Sequence, residues 1–233
     1  MDFQPILKNY KKQSDYKPLD LSKSTLNEVN INPQDHDELS SYLDQIKIQK
    51  QTKVLYGGYL EERSLYNKKS LFNANSKQRN IHLGVDFWAD AGEMIVCPAD
   101  GVVHSFADNT GFGNYGPCIV LKHKIGQRDI FTLYGHLSRE SLLRLKPGQV
   151  IYKNQVFCSL GRPEENGGYV PHLHFQIIKD IQNHKGDYPG VCHKEDLEFY
   201  EKNTISPVAF LDLQRNTFHT FANHKNRHGF IRK

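Results

Sequence analysis

No two of the four cysteines in this 233-residue sequence form a C-x-x-C pair. That absence argues against a structural zinc ribbon and against a thioredoxin-type redox motif. Cys97, Cys118 and Cys158 each lie in or beside an apolar run, so free buried thiols are expected rather than two disulfides. No run of about 18 apolar residues occurs, so no membrane span is expected. The first residues, Met1-Asp-Phe-Gln-Pro-Ile-Leu-Lys8, lack a basic stretch followed by an apolar one. No secretory signal is therefore expected, and the cytoplasm is the simplest address, with export left open. Charge is also scarce in one sense: 30 basic residues against 26 acidic give only +4, which is no electrostatic footprint for nucleic acid. The oligomeric state is not legible at this level.

The length suits one substantial domain with additions. A hydrophobic share of 38% can bury a core, while a mean hydropathy of -0.63 points to polar loops or solvated ends. Residues 1–75 read as a charged, partly helical N-terminal extension. Within it, Asn32 is a candidate cap, Pro33 suits the first helical turn, and Leu39, Tyr42, Leu43 and Ile46 share one face. From about residue 80 the texture changes to short β-type runs, such as Cys118-Ile-Val-Leu121, Ile130-Phe-Thr-Leu-Tyr134 and His174-Phe-Gln-Ile-Ile178. Turn signals such as Asp100-Gly101, Lys146-Pro-Gly148 and Asn166-Gly-Gly168 separate them. The expected fold is mainly β, an antiparallel sheet or sandwich over residues 76–214. Ser206-Pro207 opens a short C-terminal helix, and residues 215–233 form a basic, histidine-rich tail.

One familiar motif fails on context. Gly111-Phe-Gly113-Asn-Tyr-Gly116 spells G-x-G-x-x-G, but that fingerprint works when a helix N-terminus follows and offers its amides to pyrophosphate. Here Pro117 and a strand follow, so a glycine-rich hairpin loop is expected.

Chemistry concentrates in three stretches: His82-Leu-Gly-Val-Asp86, Tyr134-Gly-His136 and His172-Leu-His174. In a strand, His172 and His174 share a face, roughly 6.6 Å apart, while Leu173 points into a core. One imidazole can then bind a metal and its neighbour can sit beside a water. His82 and Asp86 would be about 13 Å apart in a straight strand, too far to share one ion. A bend at Gly84 would bring them together; alternatively, Asp86 orients His82 through a hydrogen bond. His136 emerges at a strand end. His104, His123, His184 and His193 lack a partner motif, and His219, His224 and His228 sit in the basic tail.

Taken in order, H-x-x-x-D, Tyr-Gly-His and His-Leu-His-Phe resemble the lysostaphin/LytM-type zinc metallopeptidases (peptidase family M23). Pro98-Ala-Asp-Gly-Val-Val103 and Leu145-Lys-Pro-Gly-Gln-Val150 extend the resemblance over roughly residues 80 to 180. By that resemblance, His82, Asp86 and His174 are the ligands of one zinc ion, and His136 and His172 are the catalytic pair. The resemblance implies an endopeptidase that cleaves peptide or amide bonds, peptidoglycan-type or related. Gln176 departs from the glutamate common at its position in the family and carries little weight here. Tyr134-Gly-His136, Asn166-Gly-Gly168 and Gly186-Asp-Tyr-Pro-Gly-Val191 also look like the branch found fused to class III aminotransferases, which need not act on cell walls. Two other functions stay open: a cytoplasmic amidohydrolase acting on a small amide, and a non-catalytic regulatory module that keeps the metal site. Asn73 or Asn75 would supply an inhibitory fourth ligand, as asparagine does in latent members of the family.

Overall fold

The computed structural model describes residues 4–63 and 79–213. Asn73, Asn75 and the tail histidines fall outside them. The described strands are β1 (Tyr16–Pro18), β2 (Val54–Gly57), β3 (Ile81–His82), β4 (Val85–Trp88), β5 (Met94–Val96), β6 (Gly101–Asn109) and β7 (Gly116–Ile125). They continue with β8 (Arg128–Gly135), β9 (Val150–Ile151), β10 (Val156–Ser159), β11 (His172–Ile178), β12 (Val191–Cys192) and β13 (Thr204–Ile205). Nine of them form one sheet in the order β1-β2-β4-β11-β8-β7-β6-β9, with β13 also paired to β11. Every pair in it is antiparallel except β1–β2. The fold is thus mainly β, as the alternation of β-type runs and turns implied.

The two faces of this sheet separate packing from chemistry. On β11, Leu173, Phe175 and Ile177 enter the principal core, joined from β4 by Val85 and Phe87. Burying each such side chain contributes about 1.5–3 kcal/mol. The alternate residues His172, His174 and Gln176 therefore face the other side, as the period of two in a strand requires. Two smaller apolar clusters flank that side. Leu21, Leu39, Leu43 and Trp88 form one; Leu133, Ile178 and Tyr188 belong to the other. Between them lies a cleft.

The N-terminal residues are woven into this body. Ile6, Leu7, Tyr16, Val54 and Tyr56 enter the principal core, and β2 hydrogen-bonds to β4. Helix α1 (Lys23–Glu28) and helix α2 (His36–Gln49) carry Leu26, Leu39 and Leu43 into the first side cluster. The start of α2 differs from expectation. Asp35 is the cap, its carboxylate accepting from the amides of Asp37 and Glu38, whereas Asn32 accepts from Gln34 in a turn ahead of the helix. At the other end, α3 (Leu197–Asn203) and the short α4 (Pro207–Phe210) follow the sheet, with Ser206 and Pro207 at the start of α4. All four cysteines are free and buried. No described helix is long and apolar enough to cross a membrane.

Candidate metal centre

Strand register assembles the site. On β11, His174 lies opposite Asp86 of β4 on one side and Gly135 of β8 on the other; His172 lies opposite Trp88. Two residues of the H-x-H pattern thus stand over the sheet beside Asp86, and the chain leaving β8 places His136 next to them. His136 has φ 62°, a left-handed conformation costing a non-glycine residue on the order of 1 kcal/mol. Its amide donates to Tyr115 O and its ring lies 4.4 Å, centre to centre, from that of His172. The pair His82 and Asp86 is joined by a break between β3 and β4 at Leu83-Gly84. Glycine is needed there because a Cβ would stand 2.8 Å from the His174 ring.

Each imidazole has one nitrogen committed to a carbonyl. His82 Nδ1 donates to Gly58 O at 2.9 Å, and His174 Nε2 donates to Gln176 Oε1 at 3.0 Å. His136 Nδ1 donates to Asn166 O, and His172 Nδ1 to Val170 O, both at 2.7 Å. The opposite nitrogens keep their lone pairs, and those of His82, His174 and His172 face Asp86 Oδ1. Burial lowers the pKa of His82 to about 4 and holds those of His136 and His172 below their ordinary value. Burial alone would raise Asp86, but His82 and Arg63 outweigh it and hold the carboxyl well below the usual range.

Three lone-pair donors therefore converge. His82 Nε2 and His174 Nδ1 are 2.9 Å apart, and Asp86 Oδ1 lies 3.3 Å from the first and 3.1 Å from the second. With both outward N–H groups used elsewhere, no proton is available between the two facing nitrogens. A cation resolves that repulsion. Ligand bonds of 2.0–2.1 Å in a tetrahedron put neighbouring ligand atoms roughly 3.3 Å apart, so the triangle fits zinc. Among the described residues, this is the group of three such side chains close enough to share an ion. His172 Nε2 stands a little farther off, 3.9 Å from Asp86 Oδ1.

Several contributors were not legible from the motifs. Arg63 reaches Asp86 Oδ2 through Nη1 and Glu61 Oε2 through Nε, both at 2.5 Å, and is 2% exposed. Gln176 is fully buried, accepts from Tyr115 Oη at 3.1 Å and from His174, and donates to Pro189 O. Its side-chain oxygen sets the His174 tautomer, so it matters far more than its departure from the family pattern indicated. Tyr115 gives a purpose to the glycine-rich hairpin: the loop presents its hydroxyl to Gln176 and to Tyr188 O. Hydrogen bonds hold the approach to the H-x-H. Asn166 is fully buried and pins Tyr169 through two hydrogen bonds.

The cleft above these residues has a volume of about 440 Å³. Leu21, Leu39, Trp88 and Val170 line one side; His184, Asp187 and Tyr188 line the other. His123 takes no part, being buried elsewhere between Asp100 O and Thr132 Oγ1.

Residues 80–187, which include all five predicted site residues, match the family model "Peptidase family M23". The matched segment is a little under half of the chain. The chain is 34% identical over 96 residues to an uncharacterized metalloprotease of Haemophilus influenzae, covering 41% of this chain and 18% of that protein. Over 130 residues it is 28% identical to an L-Ala–D-Glu endopeptidase of Bacillus subtilis, covering 53% of this chain and 37% of the relative. The chain thus spans less than two-fifths of the length of either curated relative. Its fold is similar to the lysostaphin catalytic domain of Staphylococcus simulans, at TM-score 0.35 and 23% identity, over 52% of this chain and 80% of that one. Arg63 and Glu61 lie outside the matched M23 segment.

Proposed function

We propose that the chain is a zinc-dependent endopeptidase that hydrolyses peptide bonds in peptidoglycan-type or related peptides. The observation that carries this reading is the triangle of two bare imidazole nitrogens and one carboxylate oxygen, beside a second pair of neutral imidazoles. His82 Nε2, His174 Nδ1 and Asp86 Oδ1 would hold one zinc ion. Three protein ligands are the number found in catalytic rather than closed structural zinc sites. When bound, zinc supplies Lewis acidity, polarising a carbonyl and making water a stronger acid.

The remaining chemistry belongs to the protein. His136 and His172 are buried and neutral, and each presents a bare Nε2. One takes a proton from the attacking water and so becomes charged, and the pair returns that same proton to the leaving amine. Asp86 Oδ1, 3.9 Å from His172 Nε2, favours the charged form of that ring as it arises. Their Nδ1 hydrogen bonds fix both rings in place.

A second reading rests on the cleft. At about 440 Å³ it falls within the range of small-molecule sites, which suits a short peptide or a small amide as well as a polymer. Assay of the full chain on muropeptides, oligoglycine peptides and small amides separates the two. Cleavage of peptides supports the endopeptidase; turnover of small amides alone supports the second reading; no zinc-dependent hydrolysis refutes both.

A further inference from the structure

We propose that Arg63, from outside the M23 segment, is a positioning residue that aims Asp86 at the metal and couples it to His172. The inference rests on the zinc reading above. Asp86 has two carboxylate oxygens with different duties. Oδ2 is taken by Arg63 Nη1 at 2.5 Å, while Oδ1 faces His82 Nε2 and His174 Nδ1. An aspartate held in this way can present one oxygen only, which fixes a single-oxygen ligand and leaves room for other ligands around the ion.

Arg63 is itself held from behind. Glu61 Oε2 accepts from its Nε, and Glu61 Oε1 accepts from the amide of Leu21, the residue that lines the cleft wall. Arg63 and Glu61 are 2% and 8% exposed. One guanidinium against the two carboxylates of Glu61 and Asp86 leaves one negative charge in excess in a buried place, which a bound cation would offset. Gly58 makes room for it: with φ +105° and a would-be Cβ 2.0 Å from Arg63 Nη2, no other residue fits. The same Gly58 supplies the carbonyl that orients His82. One turn of the N-terminal segment thus fixes two of the three donors.

The guanidinium also lies over the Trp88 ring, 5.6 Å from its centre, and Trp88 stacks on His172 at 6.0 Å and 25°. Arg63, Trp88 and His172 form a layered stack, so the residue that aims Asp86 also backs the ring that moves the proton.

Zinc affinity of the full chain, measured by competition with a chelator, tests this for Arg63→Met, Arg63→Lys and Glu61→Gln. Partners that orient a metal ligand change affinity by roughly 10- to 100-fold. Arg63→Met is expected to weaken zinc by about that factor, Arg63→Lys to recover part of it, and Glu61→Gln to show a smaller loss of the same sign. A cobalt-substituted protein should shift its visible d–d bands in Arg63→Met, a change that a merely structural role would not produce. If wild type holds no stoichiometric zinc, the underlying metal reading fails. If wild type holds zinc and folded Arg63→Met holds it equally or more tightly, the inference on Arg63 is overturned. Should Arg63→Met fail to fold, unchanged zinc affinity in Glu61→Gln overturns it instead.

Discussion

Asp86 and His174 face each other across the β4–β11 ladder, Oδ1 to Nδ1 at 3.1 Å, with the far nitrogen of the histidine tied to Gln176. That one register relation places a carboxylate against a bare imidazole nitrogen at the depth of a cleft. His82 then needs only the break at Leu83-Gly84 to complete the set.

Replacing a donor should empty the site. His82→Ala and His174→Ala are each expected to lose stoichiometric zinc and to lower hydrolysis by more than about 100-fold, beyond the range for residues that merely orient a ligand. His136→Ala should instead keep its zinc and lose turnover by roughly 10²- to 10⁴-fold, the usual contribution of a proton-transfer group. Metal analysis alongside a rate assay separates the two behaviours.

Gln176 offers a sharper distinction. Gln176→Leu leaves the N–H of His174 without its Gln176 acceptor in a buried place, while the Tyr115 hydroxyl keeps Tyr188 O, costing about 1–3 kcal/mol of stability. It should also weaken zinc. Gln176→Glu keeps the acceptor oxygen, so zinc affinity should survive. Equal zinc loss in both variants would show that the acceptor is not what matters.

A methyl group at residue 84 tests the close approach of backbone to ligand. The would-be Cβ meets the His174 ring at 2.8 Å, and because φ at Gly84 is not left-handed the effect is steric. Gly84→Ala should lower zinc affinity and cost about 1–3 kcal/mol, the usual toll of overpacking. Unaltered zinc binding would mean that the ring is free to move aside.

Much of this was written in the sequence. The strands that follow Asp100-Gly101 and Lys146-Pro-Gly148, β6 and β9, were legible because turn residues mark where a strand begins. The H-x-H pattern was legible because a strand has a period of two, which puts His172 and His174 on one face and Leu173 in the core. Other parts were hidden for physical reasons. Glu61 and Arg63 lie in a stretch rich in charge, where a buried pair looks the same as two solvated ones. Gln176 reads as an ordinary strand residue until the register brings it under His174. Tyr115 sits in a glycine loop whose context ruled out nucleotide and indicated nothing else. The start of α2 shifted because Asp35 can accept from two amides at once, a stronger cap than Asn32 provides.

Acid should destabilise the chelator-treated protein in a defined direction. Burial lowers the pKa of His82 from 6.5 to about 4 and lowers those of His123, His136 and His172. Below about pH 6.5 the unfolded chain takes up protons that the folded one refuses, so stability falls with pH. For His82 the window runs from 6.5 down to about 4. The urea midpoint should be level from pH 7 to 8 and fall steadily below about 6.5. A midpoint that rises on acidification would contradict neutral buried imidazoles.

The most direct test of the central claim is X-ray absorption at the zinc edge on the 233-residue chain after loading with one equivalent of zinc. The account predicts a first shell of nitrogen and oxygen at about 2.0–2.1 Å with two imidazoles and no sulfur. Failure to retain zinc, or sulfur scattering near about 2.3 Å from any of the four free cysteines, would contradict it.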